Sequence, residues 1–165
     1  MAAAEIRGRT ALITGGAKRI GRVIALELAE QGVNIAFTYW KSAQEATRTE
    51  DELRQQGVQV SALQADLSDL DACERVIQEV TARLGKVDIL VNNASDFSRT
   101  DLKALSRDPQ QFRKQFEYLN ALHMGAPFYL GMSLGLMMKK EGWGRIINIT
   151  DRVAARGQAY RGWSL

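Results

Sequence analysis

The sequence has little of several residue types on which particular folds and sites depend. Among its 165 residues Cys73 is the only cysteine, so neither an intrachain disulfide nor a thiolate metal cluster can form, and no metal site is expected. The longest apolar stretch, 127–138, is too short to span a bilayer, and residues 1–9 lack the apolar segment of a secretory signal. These absences predict a cytoplasmic protein with no membrane partner.

The charge balance excludes another class of partner. The 22 basic and 19 acidic residues are interspersed and leave a net charge of +3, without a basic stripe interleaved with aromatics. We therefore expect no nucleic-acid partner, although the small positive excess favours an anionic ligand. With 45% hydrophobic residues, the chain has the composition of a globular protein, and residues 1–165 are interpreted as a single domain.

Short apolar runs alternate with amphipathic helical patterns along the chain. The run at 10–14 ends in glycines, as a buried parallel strand does, and the pattern then changes to helical spacing from Ile20 until Gly32. Further strands are predicted at 33–39, 58–65, 87–91 and 144–150, and further helices at 43–56, 70–84 and 110–140. Pro127 is expected to split or kink the last helix. This order predicts an α/β fold with a doubly wound parallel sheet of the Rossmann type, comprising five strands and flanking helices.

The segment TGGAKRIG at 14–21 joins the first predicted strand to the first helix. Gly15 allows a tight turn and lets the backbone approach a diphosphate, while Gly21 permits the helix to lie close to the sheet. The helix N-terminus also presents free N–H groups to an anion. A glycine pattern alone is weak, but its position after a strand and before a helix predicts a dinucleotide site.

Four motifs in order resemble those of short-chain dehydrogenases/reductases and together cover essentially the whole chain. The turn resembles their Thr-Gly-x-x-x-x-x-Gly fingerprint, with Arg19 where most members have the middle glycine. Asp66-Leu67 resembles the family's adenine-contacting Asp after the third strand, and NNAS at 92–95 resembles Asn-Asn-Ala-Gly. GRIINI at 144–149 resembles the run into the catalytic strand. The resemblance implies an oxidoreductase that acts on a small molecule and assembles as a homo-oligomer, with tetramers typical of the family.

The end of the second strand indicates which dinucleotide is bound. Members that bind NAD place a carboxylate there for the ribose 2′-hydroxyl, but no carboxylate occurs from 31 to 44. Lys18, Arg19 and Lys41 instead offer cations to a 2′-phosphate, so NADPH is the expected cofactor, although each could be an ordinary solvated charge. The expected cofactor-binding residues are Gly15, Lys18, Arg19, Ile20, Gly21, Tyr39, Lys41, Ser42, Asp66, Leu67, Asn93, Ala94 and Ser95.

Several positions resemble the pteridine reductase branch of the family. Asp151 stands where the family has its catalytic serine, and the KR pair at 18–19, the segment YWKS at 39–42 and SDF at 95–97 agree with that branch. The resemblance implies that Phe97 stacks on a pterin ring, although a core aromatic that anchors a loop is an equal alternative. The expected substrate-binding residues are Ser95, Phe97 and Asp151.

The catalytic end departs from the family pattern. Counting back four residues from Pro127 gives His123 where the family has a relay Asn, and Asn120 lies one turn earlier; either could serve the relay, or neither. Asp151 and His123 are the catalytic candidates. No Tyr-x-x-x-Lys follows the fifth strand, so we expect an N-terminal part of a longer protein that is inactive alone. The candidate functions are an NADPH-dependent reductase of a pteridine-like C=N or a carbonyl, a 3-oxoacyl thioester reductase, and a non-catalytic NADP-binding module.

Overall fold

The structure is a computed structural model that describes residues 6–96 and 106–150. Strands and helices alternate in the predicted order. The strands are β1 (Thr10–Ile13), β2 (Asn34–Tyr39), β3 (Val60–Gln64), β4 (Ile89–Asn92) and β5 (Arg145–Asn148). The helices are α1 (Arg19–Glu30), α2 (Ala43–Gln55), α3 (Leu70–Leu84), α4 (Pro109–Asn120) and α5 (Ala126–Lys140). None of the helices in these described ranges is long and apolar enough to cross a membrane.

The five strands form one parallel sheet in the order β3-β2-β1-β4-β5. Leu12 in β1 is in register with Ala36 in β2 on one side and with Leu90 in β4 on the other. The strand order reverses between β1 and β4, and ligands of open α/β sheets bind outside the carboxyl ends of the strands at such a point. The predicted fold class is therefore confirmed, and the sheet places the candidate site at the end of β1.

A hydrophobic core lies on each face of the sheet. Along β1, Leu12 belongs to the core formed with α3 and α5, whereas Ala11 and Ile13 belong to the core formed with α1 and α2. All three side chains are fully buried. This two-sided burial explains why the central strands read as continuous apolar runs without alternation.

The long helical region changes its hydrogen-bond pattern just before Pro127. A π segment, Ala121–Gly125, joins α4 to α5, and the N–H of Ala126 bonds to the carbonyl of Ala121. Proline has no N–H with which to continue the ordinary ladder to the residue four positions earlier, so a break in the pattern is expected near it. The prediction that the helix is interrupted near Pro127 agrees with this change of helix type.

Two predicted strands exceed the observed ones by three residues each, more than the other predicted strands do. The third was predicted at 58–65 but spans Val60–Gln64, and the fifth was predicted at 144–150 but spans Arg145–Asn148. The apolar pattern extends past the strand bounds in both cases: Val58 packs against the core before β3 begins, and Ile149 follows β5 with its N–H bonded to the Asn92 carbonyl at 2.9 Å.

Candidate nucleotide-binding site

The turn after β1 brings its backbone against the ends of β2 and β4. The N–H groups of Gly15 and Gly16 donate to the Thr38 hydroxyl at 3.1 Å and the Thr38 carbonyl at 3.0 Å. Gly15 has a φ of +67°, in the left-handed region that favours glycine. A Cβ on Gly21 would lie 2.3 Å from the carbonyl oxygen of Gly15, so only glycine fits where α1 crosses the turn.

Thr14 and Asn93 join the ends of β1 and β4. The Thr14 hydroxyl oxygen accepts from the N–H groups of Asn93 and Ala94, both at 2.9 Å. The side-chain amide of Asn93 donates to the carbonyls of Thr14 at 2.9 Å and Gly15 at 3.1 Å. These bonds fix the distance between the two strand ends, and therefore the opening of the crevice at the point where the strand order reverses.

A pocket of about 450 Å³ opens at this crevice. Its wall includes all thirteen residues predicted to bind the cofactor, from Gly15 in the turn to Ser95 after β4. The lining residues that the sequence did not predict are Ala17, Thr38, Trp40, Ala65, Asp96, Tyr118 and Leu122.

The unpredicted residues fall into two groups. Most are sequence neighbours of predicted ones, as Asp96 is of Ser95, so a wider margin around each motif would have included them. Tyr118 and Leu122 come from α4 and the π segment instead, and they lie four residues apart on one helical face. No motif marks that face; finding it requires knowing that α4 packs beside the end of β4.

Cations surround the part of the pocket next to β2. Arg19 has a φ of 52° and is the only residue besides glycine, among those that the structure describes, with a positive φ. Lys18 lies 3.9 Å from Glu45, but both side chains are about half exposed, so the pair is weak. Lys41 is exposed and forms no ion pair with the described residues.

Asp66 is held at the far wall of the pocket by its own turn. One of its carboxylate oxygens accepts from the Ser68 N–H at 3.0 Å and from the Ser68 hydroxyl at 2.7 Å. This turn directs the chain from β3 into α3 and places Leu67, which is buried, beside the pocket.

His123 lies in the π segment and contacts the chain that leaves β4. Its Nε2 atom is 3.1 Å from the Ser95 hydroxyl and accepts from the Asp96 N–H at 3.3 Å. Burial lowers the pKa of the imidazole, and the nearby Asp96 carboxylate partly opposes that effect. Since Nε2 accepts from a backbone N–H, the neutral ring carries its proton on Nδ1.

Tyr118 contacts the same stretch of chain from α4. Its hydroxyl lies near the Asp96 carboxylate, and its pKa is raised by burial first and by the carboxylates of Asp96 and Asp66 after that. Two further predicted residues, Phe97 and Asp151, lie outside the described residues. The end of β5 is nonetheless held beside β4, because the Asn92 amide donates to the Asn148 amide oxygen at 2.8 Å.

The parallel sheet, the glycine turn and the pocket at the reversal of strand order define a Rossmann-type nucleotide-binding domain. A family profile described as short chain dehydrogenase matches residues 9–162. The chain belongs to the short chain dehydrogenase family.

The relatives of this chain are longer than it is. A 3-oxoacyl-(acyl-carrier-protein) reductase of Staphylococcus aureus is 34% identical over 149 residues, which are 90% of this chain and 58% of that protein. A hydroxynaphthalene reductase of Aspergillus fumigatus is 42% identical over 89 residues, which are 54% of this chain and 33% of that protein. The chain therefore spans little more than half the length of the Staphylococcus relative.

Several solved structures superpose closely on the chain. A blue fluorescent protein from a metagenomic library, in complex with NADPH, has a TM-score of 0.83 and 33% identity, covering 94% of this chain and 61% of that one. A short chain dehydrogenase from Burkholderia cenocepacia, in complex with NADP, has a TM-score of 0.82 and 28% identity, covering 94% and 60%. A xylitol dehydrogenase bound to NAD+ has a TM-score of 0.81 at 23% identity, which supports the fold alone.

Proposed function

We propose that the complete protein is an NADPH-dependent oxidoreductase that reduces a small molecule. The observation that carries this proposal is the cationic wall of the pocket: Lys18, Arg19 and Lys41 line it near the end of β2. No carboxylate occurs between 31 and 44 to accept from a ribose 2′-hydroxyl. Two relatives of similar fold were solved with NADP or NADPH, which is consistent with this choice.

The residues present fit a dinucleotide. The close approach of Gly21 to Gly15, where a Cβ would collide, leaves backbone at the mouth of the pocket instead of side chains. The first N–H groups of α1 are available to a diphosphate, and Asp66 and Leu67 are positioned for an adenine. When bound, NADPH supplies the hydride, while the chain's own residues bind and orient the dinucleotide.

The cofactor proposal is tested by measuring the dissociation constants of NADPH and NADH for the complete protein by fluorescence titration. Because a hydrogen bond to a charged group contributes about 1.5–3 kcal/mol, Lys41→Asp should weaken NADPH binding by about ten- to a hundredfold. The new carboxylate should also improve NADH binding, which reverses the preference. Lys140→Asp, on the exposed end of α5, is the matched control and should change neither constant. Equal affinities for the two cofactors in the unmodified protein would refute the proposal.

We propose a pteridine-like C=N compound as the first candidate substrate. Asp151 can accept two hydrogen bonds when ionised or donate one when protonated, which suits the amino-pyrimidinone edge of a pterin. Phe97 offers a flat face for a fused ring, and Ser95, at the wall of the pocket, a hydroxyl. Of the two catalytic candidates, Asp151 and His123, this proposal assigns Asp151 to the substrate.

A second candidate is a 3-oxoacyl thioester, because the Staphylococcus relative named for that activity is 34% identical over 90% of this chain. Against it, an ionised Asp151 would repel the oxyanion that develops as a ketone is reduced. The test compares NADPH consumption with dihydrobiopterin, dihydrofolate and an acetoacetyl thioester, with Asp151→Ser and Phe97→Ala as variants. Fastest turnover of the thioester, with pterin binding unchanged in Phe97→Ala, would reject the pteridine assignment and leave the cofactor assignment intact.

A non-catalytic NADP-binding module is the alternative in a different class. It predicts NADPH binding without turnover of any of the three substrates, and it predicts no Tyr-x-x-x-Lys in the complete open reading frame. The proposed enzyme is also expected to form a homo-oligomer, which a measured mass in solution tests directly.

A further inference from the structure

Two of the positions at which this sequence departs from its family pattern are in contact. Ser95 stands where the family has glycine, and His123 stands at the position four residues before Pro127 where the family has asparagine. They are 28 residues apart in sequence, yet the Ser95 hydroxyl lies 3.1 Å from His123 Nε2. A glycine has no side chain to bring to this histidine, so the contact requires the serine at position 95.

The contact belongs to a larger set of bonds around the chain that leaves β4. His123 Nε2 also accepts from the Asp96 N–H at 3.3 Å, and the Asp96 carboxylate in turn lies near the Tyr118 hydroxyl, whose pKa it raises. We name these four residues, Ser95, Asp96, Tyr118 and His123, the β4-exit clamp. Three of them, all except His123, line the nucleotide pocket.

The π segment decides which way His123 points. Segments of this kind add a residue to a helical turn and are often found at functional sites. Leu122, the preceding residue, is buried and lines the pocket, whereas Met124, the following one, is 61% exposed. His123 lies between them and is half-buried, with its ring directed at the end of β4.

We propose that His123 is a positioning residue that holds Ser95 and the backbone of Asp96, and thereby sets the pocket wall against which the dinucleotide binds. This inference deepens the proposed function and rests on it, since the pocket is the proposed NADPH site. His123 acts through its neighbours: one lone pair on Nε2 receives the bonds, and the proton remains on Nδ1. Protonation of the ring removes that lone pair, so the clamp requires a neutral imidazole.

The groups that face His123 set the pH range in which the clamp holds. Burial lowers the pKa of the ring, and the Asp96 carboxylate opposes it; Ser95 is uncharged, and Tyr118 faces Asp96. Because folding lowers the pKa of His123, the ring is neutral and the β4-exit clamp is intact at pH values above the ordinary pKa of 6.5. The stabilisation that the clamp gives to the pocket wall is lost as the pH falls through the lowered pKa. NADPH affinity should therefore weaken more steeply at acidic pH in the unmodified protein than in His123→Leu, which retains the titration of the cofactor's own 2′-phosphate.

A double-mutant cycle on NADPH affinity in the complete protein tests the pairing. A partly exposed hydrogen bond contributes about 0.5–1.5 kcal/mol, so Ser95→Gly and His123→Leu should each weaken binding about two- to tenfold. The double variant should bind no more weakly than the weaker single variant, because each change removes the same contact. His123→Gln, which retains an acceptor, should recover most of the loss, and Met124→Ala in the same π segment should bind as the unmodified protein does. If the fold losses in NADPH affinity of the two single variants multiply in the double variant, Ser95 and His123 act independently and the proposed pairing is wrong.

Nuclear magnetic resonance of His123, assigned by the loss of its signals in His123→Leu, gives a readout that does not need the cofactor. The unmodified protein should show a neutral Nδ1–H tautomer that titrates below 6.5, and Ser95→Gly should move that titration. An Nε2–H tautomer, or a titration unaffected by Ser95→Gly, would overturn the clamp even if NADPH binds. Failure of the unmodified protein to bind NADPH, with the expected tautomer and titration, would instead reject the proposed function and leave the bonding pattern intact.

Discussion

Replacement of Gly21 by alanine tests whether the turn is as tight as the nucleotide site requires. The added methyl group would lie 2.3 Å from the Gly15 carbonyl oxygen and 2.6 Å from the Asn93 side-chain nitrogen. Both distances are far below van der Waals contact. The turn has little freedom to retreat, because Gly15 is bonded to the Thr38 hydroxyl and Asn93 to Thr14.

The expected cost has two parts. Forcing a methyl group into a filled space costs about 1–3 kcal/mol. Displacing the Asn93 amide from the Gly15 carbonyl, a bond of 3.1 Å, costs about 1 kcal/mol more. Alanine is favoured over glycine within a helix by up to about 1 kcal/mol, which offsets part of this cost. Gly21→Ala should therefore lower the free energy of unfolding by about 1–4 kcal/mol, and it should weaken NADPH binding because the turn and α1 move apart.

Urea unfolding of the complete protein, with NADPH titration of the folded variant, measures both effects. Gly131→Ala is the matched control: its Cβ would meet nothing within 4 Å, and alanine is favoured over glycine within a helix by up to about 1 kcal/mol. If Gly21→Ala unfolds at the same urea concentration as the unmodified protein and binds NADPH equally well, the close approach of α1 to the turn does not exist.

Three further predictions concern single residues. Asp88 is 2% exposed and accepts from Arg9 at 2.9 Å and from the Thr10 N–H at 3.0 Å, so Asp88→Ala should destabilise the fold by about 2–4 kcal/mol in urea unfolding. Burial raises the pKa of the Cys73 thiol to about 11, so an aromatic disulfide reagent at pH 8 should label it about a hundredfold more slowly in folded than in urea-unfolded protein. Arg19→Gly should raise the unfolding free energy by about 1 kcal/mol, because glycine adopts a positive φ freely, while weakening NADPH binding; a loss of stability would contradict this.

Local sequence signals were sufficient to predict the sheet and most of the residues that line the pocket. Periodicity located strands β1–β5 and helices α1–α5, because the central strands are buried on both faces and the helices on one. The motif residues at the ends of β1, β2, β3 and β4 meet because those strands are parallel. The positions of Tyr118 and Leu122 could not be predicted in the same way. They reach the pocket only through the packing of α4 and the π segment beside β4, which depends on contacts distant in sequence.

The interpretation of His123 shows a different limit of prediction from the sequence. Counting back from Pro127 identified the position, but sequence alone left open whether His123, Asn120 or neither serves the relay. The deciding facts are a distance and a direction, namely that Nε2 faces the Ser95 hydroxyl and the Asp96 N–H and not open pocket.

Departures from a family pattern that contact one another are more informative than either alone, because an isolated change can be neutral drift whereas a bonded pair must be accommodated together. Arg19 is a third departure, and its left-handed backbone at the mouth of the same pocket carries a local conformational cost. The three departures, Ser95, His123 and Arg19, lie around one crevice. A local cost in conformational free energy is retained at such a site when it contributes to binding.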